Sequence, residues 1–187
     1  MVRLFIAIEL SEQQKNEIQE LQQKLQSYMG EVRWVKPDGM HLTLKFLGDT
    51  EPDKIEKIKT VMDETTAAIN QFKVSYGSGG VFPSPRKARV MWIGLREGET
   101  TVQQLAKSMD KALSRYGFKP EKRGYKPHLT IGRIRSPIAE DLVKQFIEQE
   151  RTFRTSSFNV RETVLFESNL TPRGAIHTSL YKAGLPG

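Results

Sequence analysis

Two stretches carry residue types suited to chemistry, His41-Leu42-Thr43-Leu44 and His128-Leu129-Thr130-Ile131. They are two copies of one His-x-Thr step inside an apolar run, in a chain with three histidines. On a strand, side chains alternate between faces, so His and Thr at i and i+2 share one face and the leucines and isoleucine point to the other. Each stretch therefore sets an imidazole beside a hydroxyl. An unperturbed imidazole titrates at about pH 6.5, so it can give or take a proton near neutrality. Two of them facing a common point would form an acid–base pair that needs no metal.

Other chemistries fit less well. One His-x-Thr strand alone would read as ordinary surface; two copies do not. Zinc needs three or four ligands. Only His177 remains as a further imidazole, and no Asp or Glu lies on the His face of either motif strand. No metal and no cofactor is expected. Within Ala175-Ile176-His177-Thr178-Ser179-Leu180, the residues Ile176, Thr178 and Leu180 share one face, and His177 is expected to be solvated rather than catalytic. Arg86 and Arg133 are candidate phosphate contacts. Strand parity sets Arg133 off the His128 face unless the strand bulges or ends near Gly132. Lys54, Lys57 and Lys59 read as a solvated helix face. With no cysteine, thiol nucleophiles, disulfides and Cys-based metal sites are excluded.

The elements that must hold these residues follow from periodicity. Strands are expected at 2–10, 32–35, 40–47, 72–76, 89–95, 128–134, 153–160, 162–166 and 177–183. Helices are expected at 12–29, 51–70, 101–116 and 139–150, the first opened by a capping box of Ser11 and Gln14. The basic stretch 118–126 suggests a hairpin arm, and Pro172-Arg173-Gly174 a turn. Gly77-Ser78-Gly79-Gly80 and Pro83-Ser84-Pro85-Arg86 flank a short apolar step and read as the irregular junction between two lobes.

His41 and His128 stand 87 residues apart, and Ile6 with Ile93 and Ile55 with Leu142 match at the same separation. Each half reads strand, helix, His-x-Thr strand, helix, strand, as duplication of one β-α-β-β-α-β-like unit does. The expected fold is α+β: two pseudo-symmetric lobes from an internal duplication, each an antiparallel sheet with helices on its outer face. The approximate repeat halves are 1–85 and 86–187 of one domain. Packing about a pseudo-twofold axis would bring His41 and His128 together in the cleft between lobes.

At 187 residues the chain can bury a core without staples. Its net charge of +7 favours polyanions such as nucleic acid or nucleotides. No apolar run is long enough to span a bilayer. Met1 to Glu9 lacks the pattern of a secretory signal. A cytoplasmic monomer without membrane association is expected.

On these residues the chain resembles the two-histidine phosphoesterases, and within them the LigT-like RNA 2′,3′-cyclic phosphodiesterases, also called 2′-5′ RNA ligases. The likeness runs through Arg3-Leu4-Phe5-Ile6-Ala7-Ile8, Trp34-Val35-Lys36-Pro37, the first motif with Lys45-Phe46-Leu47-Gly48, and Phe82-Pro83-Ser84-Pro85-Arg86. It continues through Lys126-Pro127, the second motif with Gly132-Arg133, and Leu165-Phe166-Glu167-Ser168. A common family form has alanine at Gly132, a small residue either way. The resemblance implies hydrolysis of RNA 2′,3′-cyclic ends, such as those of tRNA fragments, to 2′-phosphomonoesters. It makes His41 the proton donor and His128 the proton acceptor, with Thr43 and Thr130 on the non-bridging oxygens. Run backwards, the same roles join a cyclic phosphate to a 5′-hydroxyl without ATP, and no P-loop pattern is present to argue otherwise. A small cyclic nucleotide or 2′-5′ oligoadenylate is an alternative substrate, and a non-catalytic RNA-binding module an alternative function. From the residues alone, either imidazole can take either role.

Overall fold

The computed structural model describes residues 1–122, 124–172 and 174–187. In chain order the strands and helices are β1 (Val2–Glu9), α1 (Glu12–Gln26), β2 (Val32–Trp34), β3 (His41–Thr50) and α2 (Ile55–Thr66). There follow β4 (Phe72–Phe82), β5 (Val90–Glu97), α3 (Glu99–Ser114), β6 (Leu129–Ile134), α4 (Glu140–Gln149), β7 (Phe158–Val160), β8 (Glu162–Thr171) and β9 (Gly174–Gly184). The capping box on α1 forms: Ser11 Oγ accepts from Gln14 N–H while the Gln14 side chain accepts from Ser11 N–H.

Two sheets result, ordered β3-β1-β8-β9 and β2-β6-β5-β4-β7, with every strand pair antiparallel. Helices α2 and α3 pack on the first sheet. Helix α4 packs on β4 of the second, and α1 is fastened there by two buried glutamines. Gln14 donates to Val74 O on β4, and Gln22 donates to Ile131 O on β6. Both satisfy backbone carbonyls beneath a helix, that of Ile131 shared with Val35 N–H, where an unmade hydrogen bond would be destabilising. The apolar faces of both sheets meet these helices in one contiguous core, from Leu4, Ile6 and Ile8 to Met91, Ile93 and Leu129.

The duplication is visible element by element, but its halves are exchanged between the lobes. Strands β1 and β3 lie in the first sheet while the helix between them, α1, covers the second. Their counterparts β5 and β6 lie in the second sheet while α3 covers the first. Each lobe is thus built from both ends of the chain.

The glycine-rich stretch expected to be a junction is instead the middle of an 11-residue strand, β4, which forms a hairpin with β5 inside one sheet. Its glycines answer to packing. A Cβ on Gly80 would lie 2.1 Å from the Trp92 ring, and one on Gly79 would lie 2.7 Å from Phe146. Close approach of large rings, rather than backbone freedom, accounts for them. The described residues of 118–126 form no strand, so the hairpin arm is absent among them. Arg123 of that stretch, and Arg173 of the expected turn between β8 and β9, lie outside the described residues.

Candidate active site

Both His-x-Thr strands carry the same irregularity. In β3, Ala7 pairs with Thr43 but Ile6 pairs with Lys45, so Leu44 is an extra residue. In β6, Trp92 pairs with Thr130 but Met91 pairs with Gly132, so Ile131 is the extra one. The two bulged residues are the fourth positions of the two motifs. A bulge reverses the alternation beyond it. Strict alternation would set Lys45 beside Thr43 and turn Phe46 inward. Instead Lys45 is buried and Phe46 is 72% exposed, on the face of His41 and Thr43. The same shift returns Arg133, paired with Val90, to the face of Thr130. The bulge required for Arg133 to join the site is therefore present.

The surface under His41 is apolar. Phe5, Ala7, Val164 and Phe166 form a buried cluster on this face of the first sheet, apart from the main core. The His41 ring lies 4.6 Å from that of Phe5, which stacks on Phe166 at 5.2 Å. Burial, and secondarily the neighbouring His177, push the His41 imidazole down to about 4. This keeps His41 neutral at pH 7.

His128 immediately precedes β6 and packs edge-on against Phe82, with Trp92 beyond. Its Nδ1 is 2.7 Å from Lys126 O. A carbonyl can only accept, so Nδ1 carries the hydrogen and the neutral ring keeps its lone pair on Nε2. Lys126 Nζ sits 4.7 Å over the Trp92 ring and brings positive charge to this side.

The two motif strands lie alongside each other across the cleft. Tyr125 OH donates to Thr43 O at 2.8 Å. Behind β3, Lys45 pairs with Asp110 of α3 and donates to Lys119 O at 2.7 Å, and the Asp110 carboxylate also accepts from Glu121 N–H. The segment leading to His128 is thus fastened to the strand of His41 at two points directly, and at a third through Asp110 of α3.

His177 departs from its expected solvation. It is half-buried on β9, its ring 5.0 Å from that of His41 and nearly perpendicular to it. Phe46 is the other residue that sequence reading missed; only knowledge of the bulge could have found it. Arg86 stands in the turn Pro85–Lys87, next to α4, with an exposed side chain that no hydrogen bond or ion pair among the described residues fixes. Among the described residues no group of three His, Cys, Asp or Glu could hold a metal, and no helix is long and apolar enough to cross a membrane.

The profile of the family described as LigT like Phosphoesterase matches this chain twice, over residues 8–92 and 93–177. An RNA 2′,3′-cyclic phosphodiesterase of Methanothermobacter thermautotrophicus is 37% identical over 96% of each chain. One of Thermotoga maritima is 31% identical over 100% of this chain and 97% of its own. Among solved structures, Escherichia coli LigT complexed with 3′-AMP superposes with a TM-score of 0.76 at 25% identity over 98% of each chain. TT0787 of Thermus thermophilus superposes at 0.82 with 23% identity, over 99% of this chain and 98% of that one, a likeness of fold.

Proposed function

This chain belongs to the LigT-like phosphoesterase family, and from that premise we propose that it hydrolyses RNA 2′,3′-cyclic phosphodiester ends to 2′-phosphomonoesters without a metal. Relatives named RNA 2′,3′-cyclic phosphodiesterase support the reaction class. The observation that carries the division of labour is the bond from His128 Nδ1 to Lys126 O, which leaves Nε2 as a proton acceptor aimed away from its own backbone. Nε2 takes a proton from water as the water oxygen attacks phosphorus. The bond to the 3′ oxygen breaks opposite, and His41 delivers the proton that this oxygen needs. His41 is neutral at pH 7 by its own surroundings, so its imidazolium forms as the phosphate anion enters and favours the charged ring. Thr43 and Thr130 donate to the non-bridging oxygens, where negative charge grows. Arg133, on the Thr130 face, and the exposed Arg86 add positive charge for the phosphate. With a 5′-hydroxyl in place of water as the nucleophile, the same two roles would join it to the cyclic phosphate, the 3′ oxygen again leaving toward His41.

Product analysis on an oligoribonucleotide ending in a 2′,3′-cyclic phosphate tests this reading. Turnover to a 2′-phosphate, undiminished in chelator and lost in both His41→Ala and His128→Ala, is expected. A 3′-phosphate product would reverse the leaving group, and full activity in either variant would sink the two-histidine mechanism. Turnover on cyclic mononucleotides alone would replace RNA with a small-nucleotide substrate.

A further inference from the structure

The end of the cleft beyond His41 is built from a hairpin that carries neither His-x-Thr motif. The hairpin of β8 and β9 reaches from the first sheet to the turn Pro37–Gly39, which precedes β3. At its tip a Cβ on Gly174 would lie 2.9 Å from the Arg33 guanidinium of β2, in the second sheet. His177 rides on this hairpin. Its ring sits 5.0 Å from both Phe5 and His41, so its position is defined by packing. Together with His41, His177 and Ser179 line a pocket with Glu9, Asp38 and Phe166, of about 250 Å³. That is just below the range of about 300–1,000 Å³ usual for drug-sized ligands, and suits one small unit rather than a run of nucleotides.

Two observations define the hydrogen-bonding character of this pocket. His177 Nδ1 is buried and finds no hydrogen-bond partner among the described residues. A buried N–H without an acceptor is rarer than a buried acceptor without a donor. The hydrogen therefore belongs on Nε2, the ring's remaining polar atom, and His177 presents an uncharged donor. The pocket wall also carries two carboxylates, Glu9 and Asp38, against one ammonium, Lys15. Lys15 is already paired with Glu12 at 2.7 Å, and Glu9 lies 3.4 Å from Lys182. Such a wall repels a second phosphate and welcomes hydroxyls and ring nitrogens, with Phe166 as an apolar floor.

We propose that the pocket beyond His41 receives the terminal nucleoside of the substrate, and that the His177 Nε2–H and the Ser179 hydroxyl hold it through uncharged hydrogen bonds. This deepens the proposed reaction and rests on it. The ribose whose 3′ oxygen departs toward His41 must lie on the His41 side of phosphorus, which is where this pocket opens. His177 is then a specificity group that distinguishes a nucleotide from a bare phosphate.

The test titrates adenosine 2′-monophosphate and inorganic phosphate separately into the wild type, His177→Phe and His177→Gln by calorimetry. Phenylalanine keeps the ring packing and removes the N–H; glutamine returns an N–H at similar reach. Expected is about a tenfold loss of nucleotide affinity in His177→Phe, most of it recovered in His177→Gln, with phosphate affinity unchanged in both. In the wild type, the imidazole nitrogen spectrum should show hydrogen on Nε2 of His177 and a shift there on adding the nucleotide, a readout that survives if a variant fails to fold. Equal nucleotide affinity in His177→Phe, equal loss of both ligands, or an unshifted Nε2 would overturn the pocket. A wild type that binds the nucleotide but opens no cyclic phosphate would overturn the reaction and leave the pocket standing.

Discussion

Tyr125 donates its phenol to the carbonyl of Thr43, so the residue three before one catalytic candidate is hydrogen-bonded to the motif of the other. Burial pushes the Tyr125 hydroxyl up, which keeps it a donor throughout the neutral range. The bond bridges the cleft where the two motif strands meet, and it bears directly on how well both imidazoles can share one phosphorus. Replacing Tyr125 with Phe removes a bond worth about 1 kcal/mol, enough for roughly a fivefold fall in kcat/KM if all of it acts on the transition state. Steady-state kinetics with the cyclic substrate reads the effect, and a Tyr125→Phe enzyme with wild-type kcat would show that the bond does not hold the site.

The pH dependence separates free from bound enzyme. Burial and the neighbouring His177 push His41 down to about 4, so the lower break in kcat/KM, which reports the free enzyme, should lie near there rather than at the ordinary imidazole value. Bound phosphate anion favours the imidazolium, so the corresponding break in kcat should move to higher pH. His177→Ala should raise the kcat/KM break, since it removes both a neighbouring imidazole and part of the burial. Lower breaks that coincide in kcat and kcat/KM would remove His41 from the phosphate.

The same depressed value makes a stability prediction. The unfolded chain binds a proton at position 41 below about pH 6.5, and the folded chain only below about 4. Stability therefore drops as pH falls through that window, by about 3 kcal/mol in total from this group, and is restored above it. Urea unfolding of wild type and His41→Phe at pH 7 and pH 4 should show the smaller drop in the variant. Equal drops would mean that His41 is not held neutral.

The bulge at Leu44 predicts opposite phenotypes for adjacent residues. Phe46 stands exposed on the His41 face, where a nucleobase can stack for about 1–3 kcal/mol. Phe46→Ala should raise KM on oligonucleotides by tenfold or more with kcat nearly kept. Lys45 is buried against Asp110, and Asp110→Ala strands its charge, which destabilises by about 3–5 kcal/mol. Melting temperature and KM, measured on both variants, should respond in opposite proportions; a Phe46→Ala enzyme of unchanged KM would deny it a part in binding.

Gly132 is not freely exchanged for alanine in this chain. A Cβ there would lie 2.6 Å from Val32 Cγ1 and 3.2 Å from the Trp34 ring. Gly132→Ala should lower the melting temperature, and Val32→Ala in the same chain should restore much of the loss. Indifference to Gly132→Ala would show that β2 gives way easily.

The paired motif, the capping box on α1 and the repeat of elements were legible because each is written in local spacing. A glycine-rich stretch, by contrast, has no unique reading. Gly77 to Gly80 suggested a junction and proved to be strand, since what they accommodate, Trp92 and Phe146, lies far along the chain. His177 looked solvated because its neighbours in sequence alternate cleanly, while the ring it meets, that of His41, lies 136 residues earlier.

What the sequence determined by itself was the inventory: two imidazole–hydroxyl pairs on strands of a duplicated α+β chain, with almost nothing left to ligate a metal. Tertiary structure decided which residues stand beside those pairs. Two bulges turned Phe46 and Arg133 toward the cleft and Lys45 away from it, and a hairpin carried His177 to His41. Alternation is a property of a strand, but its phase past a bulge, and the company an edge strand keeps, are properties of the partners it pairs with.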